Sequence, residues 1–393
     1  MCCSAHTDSH DDVAHERPKE ASTLTETPLI YYSRSAVTTD WTCERKRWWN
    51  YEYDGKGLAS DVTNLALYLG ACVHDGLAAI ARGADIESIA TAAATQIRDS
   101  LRANPTAQDG DAETFANEQA ALTEGLLRGF HRHVWPRLMR EYPEIICIEQ
   151  ELTYPHDSLI FQAREDLILK DTQGQHWYFE FKTTKWSNDQ WVNSWPTAVQ
   201  LHSAVRAAEH TLGIPITGVI VQGLFKGYIA YGKQTSPFCY AYHKAGNPPF
   251  TKDDFIYEYK AGYRKYPVWL REGGVKRWVD EMPEHILAAQ YPQVPPIFIN
   301  DDLVDAFFRQ RAEREMEIAV ASRALNDPEV SDVVKQQVLD VSFPQHFEAC
   351  QPGWGSGCEF KRLCFGKVEE PLKAGFSYRV NHHQREADDA PQV

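Results

Sequence analysis

Residues Arg164 to Lys182 read REDLILKDTQGQHWYFEFK, two alternating stretches joined by a polar turn, and this ribbon decides the fold. A hairpin centred on Gln173 sets Asp166 opposite Glu180, and opposed residues of a ladder stand about 4.5 to 5.5 Å apart at Cβ. The two-residue period of a strand adds Lys182 to the face of Glu180. Carboxylates so placed repel each other unless a divalent cation neutralises them, and hard oxygen donors suit Mg²⁺ or Mn²⁺. Two acids and a lysine around such an ion are the groups that metal-assisted attack on phosphate requires. The competing reading is a solvated hairpin face on which acids and lysines merely alternate. Against it, Trp177, Phe179 and Phe181 share one face with Leu167 and Leu169, while Ile168 and Tyr178 lie beside the acids. A ribbon apolar on both faces is buried, and an unpaired charge there is costly. A slip of one residue in register would bring Glu151 or Glu165 into contention with the assigned acids.

The flanking segments have helical period. From Thr63 to Arg82 a stripe of Leu67, Ala71, His74, Ala78 and Ala81 predicts a helix stopped at Gly83, with His74 on its buried side. A lone histidine on such a face is ordinarily a satisfied core residue. Pro196 opens another helix and Gly213 closes it, with Leu201, Val205, Ala208 and Leu212 inward and Gln200 on one flank. The strand-like GVIVQGLFKG follows, so the local order is strand, strand, helix, strand, the pattern of an α/β core. Residues 85–140 read as two helices parted by ANPTAQDGD, the second ending near Trp135 and Pro136, and 301–341 as a charged helical block broken by NDP.

The order His74, Asp166, Glu180, Lys182, Gln200 resembles the RecB-like branch of the PD-(D/E)XK nuclease superfamily, over a span from Cys43 to Cys364. The resemblance implies an α/β, restriction-endonuclease-like core, a central mixed sheet flanked by helices and extended by helical insertions. It implies that Asp166, Glu180 and the backbone carbonyl of Phe181 hold Mg²⁺ or Mn²⁺, with His74 as an extra ligand. Lys182 would then orient the attacking water and Gln200 would stand on the substrate side. Four residues beyond that glutamine, where the family often has a tyrosine, this chain has Ala204.

A second signal lies at both ends. Cys350, Cys358 and Cys364 stand in CQPGWGSGCEFKRLC, and Cys43 stands far upstream in WTCERKRWW. Three thiols in a glycine-rich loop are poor core filler. Secreted disulfides compete, but the acidic start MCCSAHTDSHDD is unlike a signal segment and nine cysteines is an odd count. Thiols kept reduced in a cytoplasm, bacterial or phage-infected, leave a metal or cluster as their partner. One cysteine before the core and three after it resemble the iron–sulfur staple of AddB-type nucleases and RecB-related CRISPR adaptation nucleases, which implies a [4Fe-4S] cluster. Structural Zn²⁺ on four thiolates is the alternative, and spacing does not separate the two. Either would clip the chain ends together. Cys2, Cys3, Cys72, Cys147 and Cys239 read as tail or core residues.

With 393 residues and 43% hydrophobic content the chain can bury a large core, and no apolar run is long enough to span a bilayer. The expected divisions are an acidic tail over 1–25, a segment with Cys43 over 26–62, a helical region with His74 over 63–145, the nuclease core over 146–280, a helical and cysteine-rich region over 281–370, and a tail over 371–393.

A net charge of −15 opposes nucleic acid at long range, so binding must rest on local patches. From Lys226 to Arg277 ten lysines and arginines face four acids among many aromatics, including Tyr228, Arg264 and Lys265. Cations interleaved with rings suit single-stranded nucleic acid, or the rings pack the sheet and the cations solvate it. ERKRWW adds Arg45, Lys46 and Arg47 beside Cys43. The expected function is a metal-dependent DNA nuclease, an exonuclease on single-stranded or end-containing DNA in recombination, repair or phage genome processing. The alternatives are a non-catalytic binding or scaffold subunit, and a nuclease subunit that needs a helicase or adaptation partner. No phosphate-binding loop or helicase motif accompanies it.

Overall fold

LIFQAREDLILK is apolar enough on both sides to be covered twice, and the strand it forms is the axis of the sheet. The computed structural model describes residues 29–61, 65–103, 112–184, 189–226, 230–231, 234–235, 275, 279–280, 290–350, 357–366, 368 and 370–380. In chain order the main elements are β1 (Ile30–Ser33), α1 (Arg34–Thr42), α2 (Glu44–Arg47), β2 (Leu58–Ser60), α3 (Leu65–Ala81), α4 (Ile86–Ala103), α5 (Ala112–Gly129) and α6 (Trp135–Glu141). Next come β3 (Glu144–His156), β4 (Leu159–Lys170), β5 (His176–Thr184), α7 (Asp189–Asn193), α8 (Val199–Leu212), β6 (Gly218–Phe225) and the short β7 (Ala230–Tyr231) and β8 (Gln234–Thr235). The last are α9 (Asp301–Asn326), α10 (Asp332–Ser342), α11 (Phe347–Cys350), α12 (Lys361–Phe365) and β9 (Phe376–Tyr378).

β3 runs antiparallel to β4 along its length. The opposite edge of β4 is shared by two partners. Its first half pairs in parallel with β1, from Ile30↔Leu159 to Ser33↔Gln162. Its second half pairs antiparallel with β5, from Leu167↔Phe179 to Lys170↔His176. β6 then extends the sheet parallel to β5 as its last strand, with all eight of its residues buried and its outer edge met by bridges to Ile297 and Gln293. The hairpin turn is organised by Asp171, whose Oδ1 accepts from the N–H groups of Gln173 and Gln175 at 2.8 Å each, and Gly174 supplies a φ of 85°.

Helices cover both faces. Leu167, Leu169, Trp177, Phe179, Phe181, Ile220 and Leu224 pack on α3, α4 and α5. Leu159, Phe161, Ala163, Ile168, Tyr178, Val219 and Val221 pack on α8 and α9. The expected mixed α/β sheet flanked by helices is therefore what the chain forms. Odd-numbered residues of β4 face α8 and α9 up to Ala163 but face α3 to α5 from Leu167 on. Regular alternation forbids such a change, so the strand switches faces between those residues, where Glu165 and Asp166 lie. The partner strand is irregular at the same level: pairing shifts register between Ile145 and Cys147, and Glu149 adopts a φ of 47°.

Several expectations hold in detail. The inward stripe of α8 is the one expected, and Gly213 ends the helix in the left-handed conformation at φ 66°. The alanine-rich block is α4 and α5, and Trp135 with Pro136 begins the separate α6. Two expectations fail. Leu67 is 70% exposed and Ala71 is exposed as well, because the α3 sequence is apolar nearly all round and the sheet covers the face with the larger aliphatics, Leu69, Val73, Leu77 and Ile80. Residues expected as tail after Pro371 instead form β9, antiparallel to β2, with Phe376 stacked on Phe360 at 5.6 Å.

The N-terminal corner is tied to α9 by buried charges. Arg311 Nη1 donates to Asp40 at 2.7 Å and its Nε to Glu315 at 2.7 Å, while Arg47 Nη2 donates to Glu315 at 3.1 Å. All four residues are at most 4% exposed. Removing one partner of such a set strands the others in low dielectric. Arg311→Met is expected to lower stability in chemical denaturation by about 3–5 kcal/mol, whereas Lys170→Met, which ends an exposed pair with Glu144, should cost at most ~1 kcal/mol. Equal shifts in the two would show that the buried set carries no special weight.

Candidate active site

The face switch of β4 builds the site. The β4–β5 register carries Asp166 to the level of Glu180, as the ribbon centred on Gln173 requires. Past Leu167↔Phe179 the ladder lapses, and the Asp166 side chain takes over: Oδ2 accepts the Phe181 N–H at 2.6 Å. Oδ1 meets His74 Nδ1 at 3.0 Å. Glu180, on the Tyr178 face, is fully buried and turns instead to Arg34, whose Nη1 lies 3.4 Å from both of its oxygens, and to Lys182 Nζ. The two acids thus stand at one level of the ribbon but are held by different cations.

A third acid joins Asp166. Glu149, carried round by its left-handed backbone, lies 3.9 Å from His74 Nδ1 and is bound by Arg164 at 2.9 Å. One ligand atom each from His74, Glu149 and Asp166 lie within 4.8 Å of one another. An imidazole nitrogen with two carboxylate oxygens is a donor set that fits Mn²⁺ or Mg²⁺, the remaining positions falling to water or phosphate.

The electrostatics follow from crowding four acids in a buried seam. Burial pushes Glu149 up to about 7, helped by Asp166 and opposed by His74 and Arg164. Burial also raises Glu165 far above the carboxylate range, with the Arg34 guanidinium opposing. Burial works the same way on Asp166, but His74, Lys182 and the Phe181 N–H outweigh it and hold Asp166 below its ordinary value. Burial disfavours the imidazolium of His74, yet Asp166 and Glu149 raise it. Both oxygens of Glu165 are buried without a hydrogen bond.

The other expected residues are placed as follows. Phe181 sits between Glu180 and Lys182 with its ring edge-on to Phe130. Gln200 lies half-buried in the first turn of α8, and Ala204 is fully buried beneath it. Lys226 Nζ donates to the Ala66 carbonyl at 3.0 Å and to Thr183 Oγ1 at 3.1 Å, tying α3 to β5. Tyr228, Arg264 and Lys265, like most of the basic aromatic stretch, lie outside the described residues. The reading of Arg45 and Arg47 as phosphate contacts needs correction. Both are buried, Arg45 against the Phe343 carbonyl and Asp340, Arg47 against Glu315 and Glu52, so neither head is offered to a ligand. Their alternation with aromatics reflects packing in the α2 corner. Lys46 alone of the three stays partly exposed, beside Glu359.

The four cysteines expected to form a staple lie at the α2–α11–α12 corner. Cys43 and Cys350 are buried and Cys358 and Cys364 half-buried, all with free thiols. Burial raises the Cys350, Cys358 and Cys364 thiols, Cys364 to about 11, and each feels at least one of the others: Cys350 feels Cys43, Cys358 feels Cys350, and Cys364 feels both Cys358 and Cys350. Lys46, Arg45 and Lys361 lie close enough to oppose those shifts. The four thiols therefore share one region within electrostatic reach of one another, but among the described residues the ligand atoms close enough to hold an ion are those of His74, Glu149 and Asp166 alone.

Sequence reasoning missed Glu149 and Arg34. In EIICIEQELTYPH nothing marks Glu149 as inward, because its direction depends on the irregularity at Ile146 and on a backbone conformation that a carboxylate side chain does not announce. Arg34 reaches the site through a parallel pairing, β1 with β4, that is remote in sequence.

No curated protein matches the chain. A family model for the PD-(D/E)XK nuclease superfamily matches residues 31–365, from β1 through the α12 cysteine. That span takes in the ribbon, the histidine helix and the crossover helix around which the site is built, and the protein belongs to the PD-(D/E)XK nuclease superfamily.

Proposed function

We propose that the protein is a divalent-cation-dependent deoxyribonuclease that hydrolyses phosphodiester bonds in DNA with single-stranded regions or free ends, in recombination, repair or phage genome processing. The observation that carries the reading is the convergence of His74, Glu149 and Asp166 at the same sheet level as the Glu180–Lys182 pair. Mg²⁺ or Mn²⁺ bound there supplies a Lewis acid for a phosphoryl oxygen and lowers the pKa of a water. His74, Glu149 and Asp166 hold the ion, and the Phe181 N–H fixes the Asp166 carboxylate so that its other oxygen stays aimed at the site. Glu180, with the Phe181 carbonyl beside it, closes the other side. Lys182, anchored by Glu180, orients the water that attacks phosphorus in line with the leaving 3′-oxygen. Gln200, at the start of α8, stands on the substrate side.

Cys43, Cys350, Cys358 and Cys364 hold a [4Fe-4S] cluster in this reading, with structural Zn²⁺ the alternative. The group would join the α1–α2 corner to the C-terminal helices, so that its binding energy becomes folding energy. Among the described residues no helix is long and apolar enough to cross a membrane.

Asp166→Ala and Lys182→Ala should each reduce Mg²⁺-dependent cleavage of linear DNA by at least about 100-fold, the scale of losing one electrostatic catalytic group, with both variants still folded by circular dichroism at the assay temperature. Undiminished cleavage in both would remove the proposal. Glu149→Gln is expected to weaken Mn²⁺ binding, read by electron paramagnetic resonance, at least about tenfold; wild-type affinity would strike Glu149 from the ligand set. Anaerobically purified protein should be brown and carry about four iron atoms per chain, lost in Cys350→Ser. A colourless protein with one zinc would overturn the cluster.

A further inference from the structure

Arg34 is the first residue beyond β1, and because β1 pairs only with the first half of β4, Arg34 emerges where β5 takes over. Its guanidinium meets Glu180 through Nη1 alone, at 3.4 Å from each oxygen. A structural Arg–carboxylate pair is typically two-pronged and near 2.8 Å. Glu180 moreover already has Lys182. Among the described residues no other side-chain hydrogen bond of Arg34 is found, and neither Nε nor Nη2 is a buried orphan. The side chain is 23% exposed. The unused edge of a planar, permanently charged donor therefore opens toward water beside the cation ligands. Glu165, fully buried with both oxygens unbonded, is its second acidic neighbour.

We propose that Arg34 is a further catalytic residue: Nε and Nη2 bind a non-bridging oxygen of the scissile phosphate and stabilise the charge that develops there, with Glu165 as the residue that positions Arg34. The inference rests on the nuclease reading above. In the step, the oxygen of water bonds to phosphorus as the P–O3′ bond breaks, one water proton is lost and the 3′-oxygen gains one. Arg34 exchanges no proton, since a guanidinium stays charged throughout. A second acid explains how it keeps its place: Glu165, within electrostatic reach of the guanidinium though not hydrogen-bonded to it, remains beside Arg34 when Glu180 is drawn to the cation. A counterion for Glu180 and nothing more would need neither the open donor edge nor the orphaned second acid.

The test uses the full chain and a linear duplex with a single-stranded overhang. Arg34→Ala should lower the single-turnover rate constant at saturating DNA and Mg²⁺ by about 100- to 1000-fold, with Mn²⁺ affinity unchanged and the chain still folded at the assay temperature. Arg34→Lys should recover about tenfold of that loss, since it restores charge without the fork. Glu165→Gln should slow the same rate constant while DNA binding in Ca²⁺ stays at the wild-type level. Wild-type rates in Arg34→Ala, or a loss matched by weaker Mn²⁺ binding, would overturn the role; should Arg34→Ala fail to fold, an unaltered rate in Arg34→Lys overturns it. A wild-type protein inert with both Mg²⁺ and Mn²⁺ would sink the nuclease reading itself, whereas an active wild type with an indifferent Arg34 sinks only this inference.

Discussion

One strand edge with two successive partners governs the architecture. β4 gives its first half to β1 and its second half to β5, and between them a few residues have no ladder on that side. Unpaired backbone groups inside a protein must find partners. Asp166 meets that need by accepting the Phe181 N–H, which makes the carboxylate part of the sheet as well as part of the site. The same lapse lets the strand change faces, so that Asp166 reaches the α3 side and His74, while Glu180 stays on the α8 side with Arg34 and Lys182.

That seam concentrates negative charge in a chain already at −15. Glu149, Glu165, Asp166 and Glu180 would repel one another strongly at low dielectric. The chain offsets them with His74, Arg34, Arg164 and Lys182, each from a different part of the fold or the opposite face. An acidic protein that acts on a polyanion must meet it at local points, and a seam whose cations come from several elements provides such a point without altering the global field.

The N- and C-terminal segments are fastened together more than once. The β2–β9 ribbon and the buried Asp40–Arg311–Glu315–Arg47 set both join the segment after β1 to the C-terminal part of the chain. α1 begins at Arg34 and contains Asp40, so the charges that hold the helix on α9 also hold Arg34 at the seam. Fastening at the periphery thereby becomes geometry at the centre.

Local patterns were enough to specify the hairpin and its register, because alternation and a polar turn containing Gly174 leave a single way to bury both faces of REDLILKDTQGQHWYFEFK. They also specified α8 with its stop at Gly213, the two-helix block, and Asp166, Glu180 and Lys182 as the residues to watch, while His74 was marked only by the family resemblance. They misplaced the stripe of α3, where apolar residues on every side left the covered face to tertiary packing, and they offered Arg45 and Arg47 as surface charges, although only distant Asp340 and Glu315 reveal that both are buried. Glu149 and Arg34 needed the folded chain. Their approach to the site depends on a pairing between β1 and β4 more than a hundred residues apart in sequence and on a left-handed residue in β3, and neither leaves a periodic trace, because periodicity records which way a regular element faces and not where two such elements are broken against each other.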